Sequence, residues 1–163
     1  MLPLRNALVL ILFLWALPAL AFSFEGRVVK VKDGDSLVVL RDTVKRESEI
    51  RLAGIDAPEY RQPWGQQSRA GLKRIVLGQT VRVEVMDKDR YGRLVGKVWL
   101  GRAYVNAAMT QSGNAWAFAR YMPDKQIRAG QDAARAAGRG LWSLPPEQRV
   151  PPATWREQHP RRD

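Results

Sequence analysis

Alternating apolar and polar residues predict a series of short β-strands in the first part of the chain. Valine, leucine and isoleucine recur at every second position, which is the pattern of a half-buried strand. Asp33-Gly34 is a turn dipeptide that favours a hairpin, and the charged stretch 41–49 separates the second strand from the third. The five strands are expected at Phe24–Val31, Ser36–Leu40, Ile50–Gly54, Thr80–Met86 and Leu94–Leu100.

Apolar residues at helical spacing predict about three helices. The first follows the third strand, with Ser68, Leu72, Ile75 and Val76 on one face, and ends at Gly78. A short second helix begins near Ala103 and ends near Gly113. Asp124 is a candidate N-cap for the last helix, which is expected to turn Ile127, Ala134 and Ala137 inward and to end at Gly138 and Gly140.

This order of elements predicts a mainly β fold with α-helices, an OB-type five-stranded β-barrel. Barrels of this type bind nucleic acid or oligosaccharide in many proteins. A fold does not establish a function, so the function has to be argued from particular residues.

The two ends of the chain are expected to lie outside the barrel domain, 22–144. Residues 1–21 have the features of a signal peptide: Arg5, an apolar run, Pro18 and a small-residue cleavage pattern at 19–21. An uncleaved anchor is the alternative, but the apolar run of 16 residues from Ala7 to Phe22 is short for a membrane span, which needs about 20. The proline-rich tail 145–163 is predicted to be extended and flexible. The predicted signal peptide implies export to the periplasm, the cell surface or the medium.

Composition restricts the chemistry. The 163 residues carry a formal net charge of +11, which favours polyanionic partners such as nucleic acid, acidic lipid or acidic polysaccharide. A basic surface without a dedicated partner is equally compatible with this charge. There is no cysteine, and His159 is the only histidine, so thiol nucleophiles and cysteine-based zinc sites are excluded. Catalysis would have to use carboxylates, arginine, lysine, tyrosine, serine or a hard metal ion.

Three segments carry candidate chemistry: Asp33-Gly34-Asp35-Ser36, residues 50–59, and Asp89-Arg90-Tyr91-Gly92-Arg93. Each can also be explained as ordinary turn or loop sequence. Arg51 is harder to explain in that way, because an arginine inside an apolar strand needs a carboxylate or a phosphate as partner.

Together these residues meet the requirements of phosphodiester hydrolysis. Asp35 and Asp56, with the main-chain carbonyl of Ala57, can offer oxygen ligands to a hard cation, for which calcium suits better than zinc. Glu59 can act as general base on a water molecule. Arg51 and Arg93 can donate hydrogen bonds to phosphoryl oxygens as charge develops, and Tyr91 can contact a phosphate or stack on a base.

In this order and spacing the three segments resemble the thermonuclease, or staphylococcal-nuclease-like, family. The similarity covers roughly residues 24–142 and includes Gly140-Leu141-Trp142 at the end of the last helix. The resemblance implies one bound Ca²⁺, cleavage of DNA and RNA, and 3′-phosphate ends. A monomer is the default expectation, since nothing in the sequence implies a stable protein partner.

The resemblance also assigns roles by position. Asp35, Asp56 and Ala57 match calcium ligands, Arg51 and Arg93 match the catalytic arginines, and Glu59 matches the glutamate usually taken as base. A further set looks like substrate-pocket positions: Arg90, Tyr91 and Tyr121. Ser36 and Ala57 replace threonines of the best-known member, and Ala119 replaces a second pocket tyrosine.

Two other functions compete with the nuclease. A catalytically silent nucleic-acid-binding barrel would have no reason to keep the acids and arginines together. A module that binds acidic lipid or glycan at the cell envelope would show neither divalent-metal dependence nor phosphodiester cleavage.

Overall fold

A computed structural model describes residues 22–118 and 124–160. Five long strands and one two-residue strand form the main sheet. In the five long strands, the alternation of buried valine, leucine and isoleucine with exposed polar residues is the pattern that the sequence predicted. Three strands have two residues each. The strands are β1 Phe22–Val31, β2 Ser36–Arg41, β3 Arg46–Leu52, β4 Ile55–Asp56, β5 Thr80–Lys88, β6 Leu94–Leu100, β7 Ala103–Tyr104 and β8 Trp116–Ala117.

The five long strands close into a barrel. Strands β3, β2, β1, β5 and β6 are antiparallel neighbours in that order, and β3 also pairs with β6 in parallel, with Ile50 opposite Leu94. This parallel pairing joins the two edges of the sheet, so that no long edge strand stays open. The prediction of an OB-type five-stranded barrel is confirmed.

The described residues contain four α-helices: α1 Gly65–Val76, α2 Val105–Gln111, α3 Lys125–Ala136 and α4 Pro152–Gln158. Helix α1 covers the barrel through Leu72 and Val76, which are fully buried. Helix α2 contributes Met109, and α3 contributes Ile127, to the same core. Within 22–118 and 124–160, no helix combines the length and the apolar character needed to cross a membrane.

The prediction of an extended tail over residues 145–163 is wrong for residues 152–158. These residues form helix α4, which begins at Pro152 after Pro151. Proline is compatible with the first turn of a helix because its missing N–H would have no helical partner there. Residues 22–118 and 124–160 therefore contain one α-helix more than the three that the sequence predicted.

Two smaller differences concern the ends of elements. Strand β3 begins at Arg46 inside the charged stretch, because this segment pairs with β2 along its whole length. Ala137 was predicted to face inward but is exposed, since α3 ends at Ala136 and only Ile127 and Ala134 of the predicted set are buried. The predicted signal peptide, 1–21, lies outside the described residues.

Candidate active site

Asp35 lies in the turn between β1 and β2 and is almost fully buried. One carboxylate oxygen, Oδ2, accepts a hydrogen bond of 2.7 Å from the backbone N–H of Ala57, and Oδ1 accepts one of 3.1 Å from the Ser36 hydroxyl. Gly34 permits this placement, because a Cβ atom there would overlap the side chains of Ser68 and Ala57. The turn is therefore packed directly against the loop that follows β4.

Arg51 bridges the two predicted metal-binding carboxylates. It lies opposite Ser36 in the β2–β3 register, so its side chain emerges next to Asp35. Its Nη1 forms an ion pair with Asp35 Oδ2, without hydrogen-bond geometry, and its Nη2 donates to Asp56 Oδ1 at 3.1 Å. One guanidinium group thus holds both carboxylates around the same small space, as the apolar context of Arg51 predicted.

Arg93 reaches the same place from the turn between β5 and β6. Asp89 fixes it by accepting bonds from its Nε at 2.7 Å and from its backbone N–H at 3.0 Å. Its Nη1 lies 3.4 Å from the Ser36 hydroxyl, which in turn donates to Asp35. The parallel pairing of Arg51 with Val95 places the turn beside the end of β3. Arg93 is therefore connected to Asp35 through a single side chain, that of Ser36.

Glu59 lies on the loop between β4 and α1 and is partly exposed. The buried Gln62 accepts a hydrogen bond from the Glu59 backbone N–H through Oε1, at 3.1 Å. A Cβ atom at Gly65 would overlap the Glu59 carbonyl, so the glycine lets α1 begin against this loop. Glu59 is connected to Asp56 through Arg156 of α4, whose Nη1 donates to Glu59 Oε1 at 2.8 Å.

The predicted substrate-pocket residues that the structure describes lie on the β5–β6 turn. The ring of Tyr91 is strongly exposed, and the guanidinium carbons of Arg90 and Arg93 lie 4.9 Å and 5.6 Å from its centroid. Arg90 also donates a hydrogen bond of 2.8 Å to the Tyr91 hydroxyl. Tyr121 and Ala119 lie outside the described residues.

Crowded carboxylates make the site attractive to positive charge. Burial and the neighbouring charge of Asp35 raise the pKa of Asp33 to about 7. Burial also raises the pKa of Asp56, although hydrogen bonds from Arg156 act in the opposite direction. Burial acts to lower the pKa of Arg51, but the charges of Asp35 and Asp56 outweigh it and raise the pKa.

The donor set fits a hard divalent cation of limited protein coordination. Asp35 and Asp56 offer carboxylate oxygens, the ligand type that calcium and magnesium prefer. In the part of the chain that the structure describes, no group of three or more acidic or histidine side chains has metal-binding geometry.

Sequence reasoning missed three residues at this site. Asp33 was quoted in the first segment without a role, Gln62 lies in a loop with no recognisable pattern, and Arg156 lies in the tail. The Pro151-Pro152 pair is a helix-start signal that could have indicated α4. Nothing in the sequence indicated that α4 would contact Asp56.

Comparison with known proteins agrees with this geometry. A family model described as staphylococcal nuclease homologue matches residues 49–144. A protein of Escherichia coli O157:H7 named "Uncharacterized endonuclease" is 39% identical over 94% of this chain and 99% of its own. "Protein ParB" of Escherichia coli is 40% identical over 98% of this chain and 94% of its own. "Micrococcal nuclease" of Shigella flexneri is 37% identical over 94% of this chain and 91% of its own.

The barrel, the carboxylate–arginine cluster and these similarities define the class of the protein as a nuclease, an enzyme that hydrolyses phosphodiester bonds. The chain belongs to the staphylococcal nuclease family, because the family model covers more than half of it and the relatives align over nearly its whole length.

Proposed function

We propose that the protein is an exported, calcium-dependent nuclease that cleaves DNA and RNA and leaves 3′-phosphate ends. The observation that carries this proposal is the single guanidinium group of Arg51 between Asp35 and Asp56, with Arg93 joined to the same cluster through Ser36. Acids that would bind a cation and arginines that would bind a phosphate therefore share one location.

The residues divide the chemistry between them. Asp35, Asp56 and the carbonyl of Ala57 would hold the calcium ion, which supplies positive charge next to the scissile phosphate. Arg51 and Arg93 donate hydrogen bonds to the phosphoryl oxygens, which gain negative charge as water attacks phosphorus. Glu59 accepts a proton from that water. The bond between phosphorus and the 5′-oxygen breaks, the 5′-oxygen takes up a proton from solvent and leaves as a hydroxyl group, and the phosphate stays on the 3′-oxygen.

Substrate binding uses the exposed edge of the site. Tyr91, flanked by Arg90 and Arg93, offers an aromatic face with two positive charges beside it. Such a combination binds a base by stacking and its phosphate by ion pairing, without strong sequence preference. The same surface suits DNA and RNA. All these groups lie on one chain, so a monomer is sufficient, and the features of residues 1–21 support export.

Incubation of the purified protein with plasmid DNA and with RNA, in calcium or in chelator, tests the proposal. We expect cleavage in calcium, none in chelator, and product 5′-ends that polynucleotide kinase labels without prior phosphatase treatment. Arg74→Gln removes one positive charge from an exposed part of α1, and this variant should keep the wild-type rate. Cleavage that persists in chelator, or products with 5′-phosphates, would contradict the proposal.

A further inference from the structure

Helix α4 places an arginine on two residues of the proposed active site. Arg156 donates from Nη2 to Asp56 Oδ2 at 3.0 Å and from Nη1 to Glu59 Oε1 at 2.8 Å, with a third contact of 3.3 Å to Asp56 Oδ1. These partners precede it by about a hundred residues in the chain. The contact is therefore a product of the tertiary fold and has no origin in local sequence.

The segment that carries Arg156 is attached to the same loop as Glu59. Gln62 donates from Nε2 to the carbonyl of Val150 at 2.5 Å, while its Oε1 accepts from the Glu59 backbone. Pro152, at the start of α4, is buried. Trp155 lines a groove together with Tyr60 and Trp64 of the same region. The hydrogen bond from Gln62 and the burial of Pro152 thus hold α4 against the loop that carries Glu59.

Arg156 uses the oxygens that the proposed reaction requires. Both oxygens of Asp56 are engaged, Oδ1 by Arg51 and Oδ2 by Arg156, and this carboxylate is only 5% exposed. A divalent cation on Asp56 would repel a guanidinium group at the same carboxylate. The Glu59 oxygen Oε1, which accepts from Arg156, is engaged by this contact and is not available to a water molecule while the contact persists.

We propose that Arg156 competes with the divalent cation for Asp56 and releases Glu59 only when the cation binds. This inference rests on the proposed function. Helix α4 then sets the calcium concentration at which the enzyme becomes active, and it holds the cation-free enzyme in an inhibited form. Arg156 is a side chain that is 47% exposed, so it can leave the carboxylates without opening the core.

The size of the effect follows from linkage. If Arg156 lowers calcium affinity by some factor, calcium weakens the Arg156 contact by the same factor. Couplings between two ligands commonly amount to about 5–150-fold. The exposure of Arg156 to solvent favours the lower part of that range, and we expect about a tenfold change in the calcium dissociation constant.

Calcium titration by calorimetry, without nucleic acid, tests the competition directly. Arg156→Gln should bind calcium about tenfold more tightly than the wild type, and Arg156→Lys should lie between the two because one ammonium group replaces a two-pronged donor. Arg61→Gln is the matched control: it removes one positive charge two residues from Glu59, and within the described chain Arg61 forms no ion pair. Its affinity should stay close to wild type.

Cleavage measured over a range of calcium concentrations separates the outcomes. Half-maximal rate of Arg156→Gln at lower calcium, with an unchanged maximal rate, supports the competition. Equal calcium affinities of wild type and Arg156→Gln overturn it, and so does a lower maximal rate with unchanged calcium affinity, which would make Arg156 a substrate-binding residue. If the wild type cleaves at no calcium concentration, the proposed function itself fails, whatever the ratio of the calcium affinities of Arg156→Gln and the wild type.

Discussion

At the scale of single residues, Arg51 explains why the site can exist inside a small barrel. A buried arginine loses hydration, and only close carboxylates compensate for that loss. Here Asp35 and Asp56 do so, and each carboxylate is in turn held by a backbone or side-chain donor. Removal of Arg51 leaves Asp35 without its ion-pair partner. Variants of Arg51 therefore report on stability as well as on its proposed catalytic role.

Glu59 offers a cleaner test of catalysis, because it lies on the surface of the site. Glu59→Gln removes the proposed proton acceptor and keeps the size and most of the polarity of the side chain. We expect the maximal cleavage rate at saturating calcium to fall by about 10²-fold or more, the usual effect of losing a positioned base. Initial-rate measurement on DNA gives this ratio.

The urea midpoint of Glu59→Gln, measured alongside, serves as the control for folding. An unchanged midpoint together with a wild-type rate would assign the base to another group.

At the scale of elements, α3 depends on the charge of its N-cap. Asp124 accepts hydrogen bonds from the backbone N–H groups of Gln126 and Ile127 and from the Tyr104 hydroxyl. Burial acts to raise the pKa of Asp124, but these bonds and the charge of Lys97 outweigh it and lower the pKa below its ordinary value. Ionised Asp124 thus stabilises the junction of α3 with the barrel.

The pH dependence of stability follows with a definite sign. A lowered carboxyl pKa adds stability above the unfolded-state value of about 4, and this addition is lost as the pH falls through the lower folded-state value. Asp124→Asn keeps a good N-cap but removes the charge. We expect the variant to be less stable than the wild type by about 0.3–1 kcal/mol at pH 7, with the difference shrinking below pH 4.

Urea unfolding of both proteins at pH 7 and pH 3 checks the expectation for Asp124. A gap in unfolding free energy that stays constant between the two pH values would show that the charge has no part in it.

Elements with a clear periodicity could be predicted from the sequence, and the others could not. The valine alternation of β5 and the helical spacing around Leu72 both correspond to elements of the fold. The two-residue strands β4 and β8 carry too few residues to show a period, and their pairing of Ile55 with Ala117 depends on tertiary packing. Helix α4 has only seven residues, too few for a clear helical period within a segment that was interpreted as an extended tail.

At the scale of the whole molecule, positive charge dominates the interaction with nucleic acid. The net charge of +11 is spread over many exposed lysines and arginines, and Arg51, Arg90 and Arg93 add positive charge at the site. Each phosphate that such a group neutralises releases condensed counterions, so binding weakens as salt is added.

This argument predicts the salt dependence of binding. With three phosphate contacts at the site, the affinity of the calcium-free protein for DNA should fall roughly 20–40-fold between 50 mM and 200 mM salt. Fluorescence anisotropy with a labelled oligonucleotide measures the slope of log affinity against log salt concentration. Arg90→Gln should make this slope shallower by the contribution of about one phosphate contact. A flat response to salt would indicate that the site does not engage phosphates.

The assembly of the site could be predicted only in part, because several of its contacts join distant segments of the chain. The sequence was sufficient to place three residues close together, because strands β2 and β3 are neighbours in sequence and their register has no irregularity. These residues are Asp35, Arg51 and Asp56. The arrival of Arg93 depends on closure of the barrel, and that of Arg156 depends on where the tail lies. Contacts between distant segments leave no local pattern, so only the structure shows them.

Closure of the barrel has a consequence for how the enzyme fails on heating. Arg51 lies near the end of β3, and Arg93 immediately precedes β6, so the parallel seam between these strands is what keeps the two guanidinium groups together. Any thermal motion that parts the seam separates both arginines and exposes the core at the same time. Loss of activity and loss of the native state should therefore coincide in a single cooperative event, and an isolated half of the chain should have no fraction of the activity.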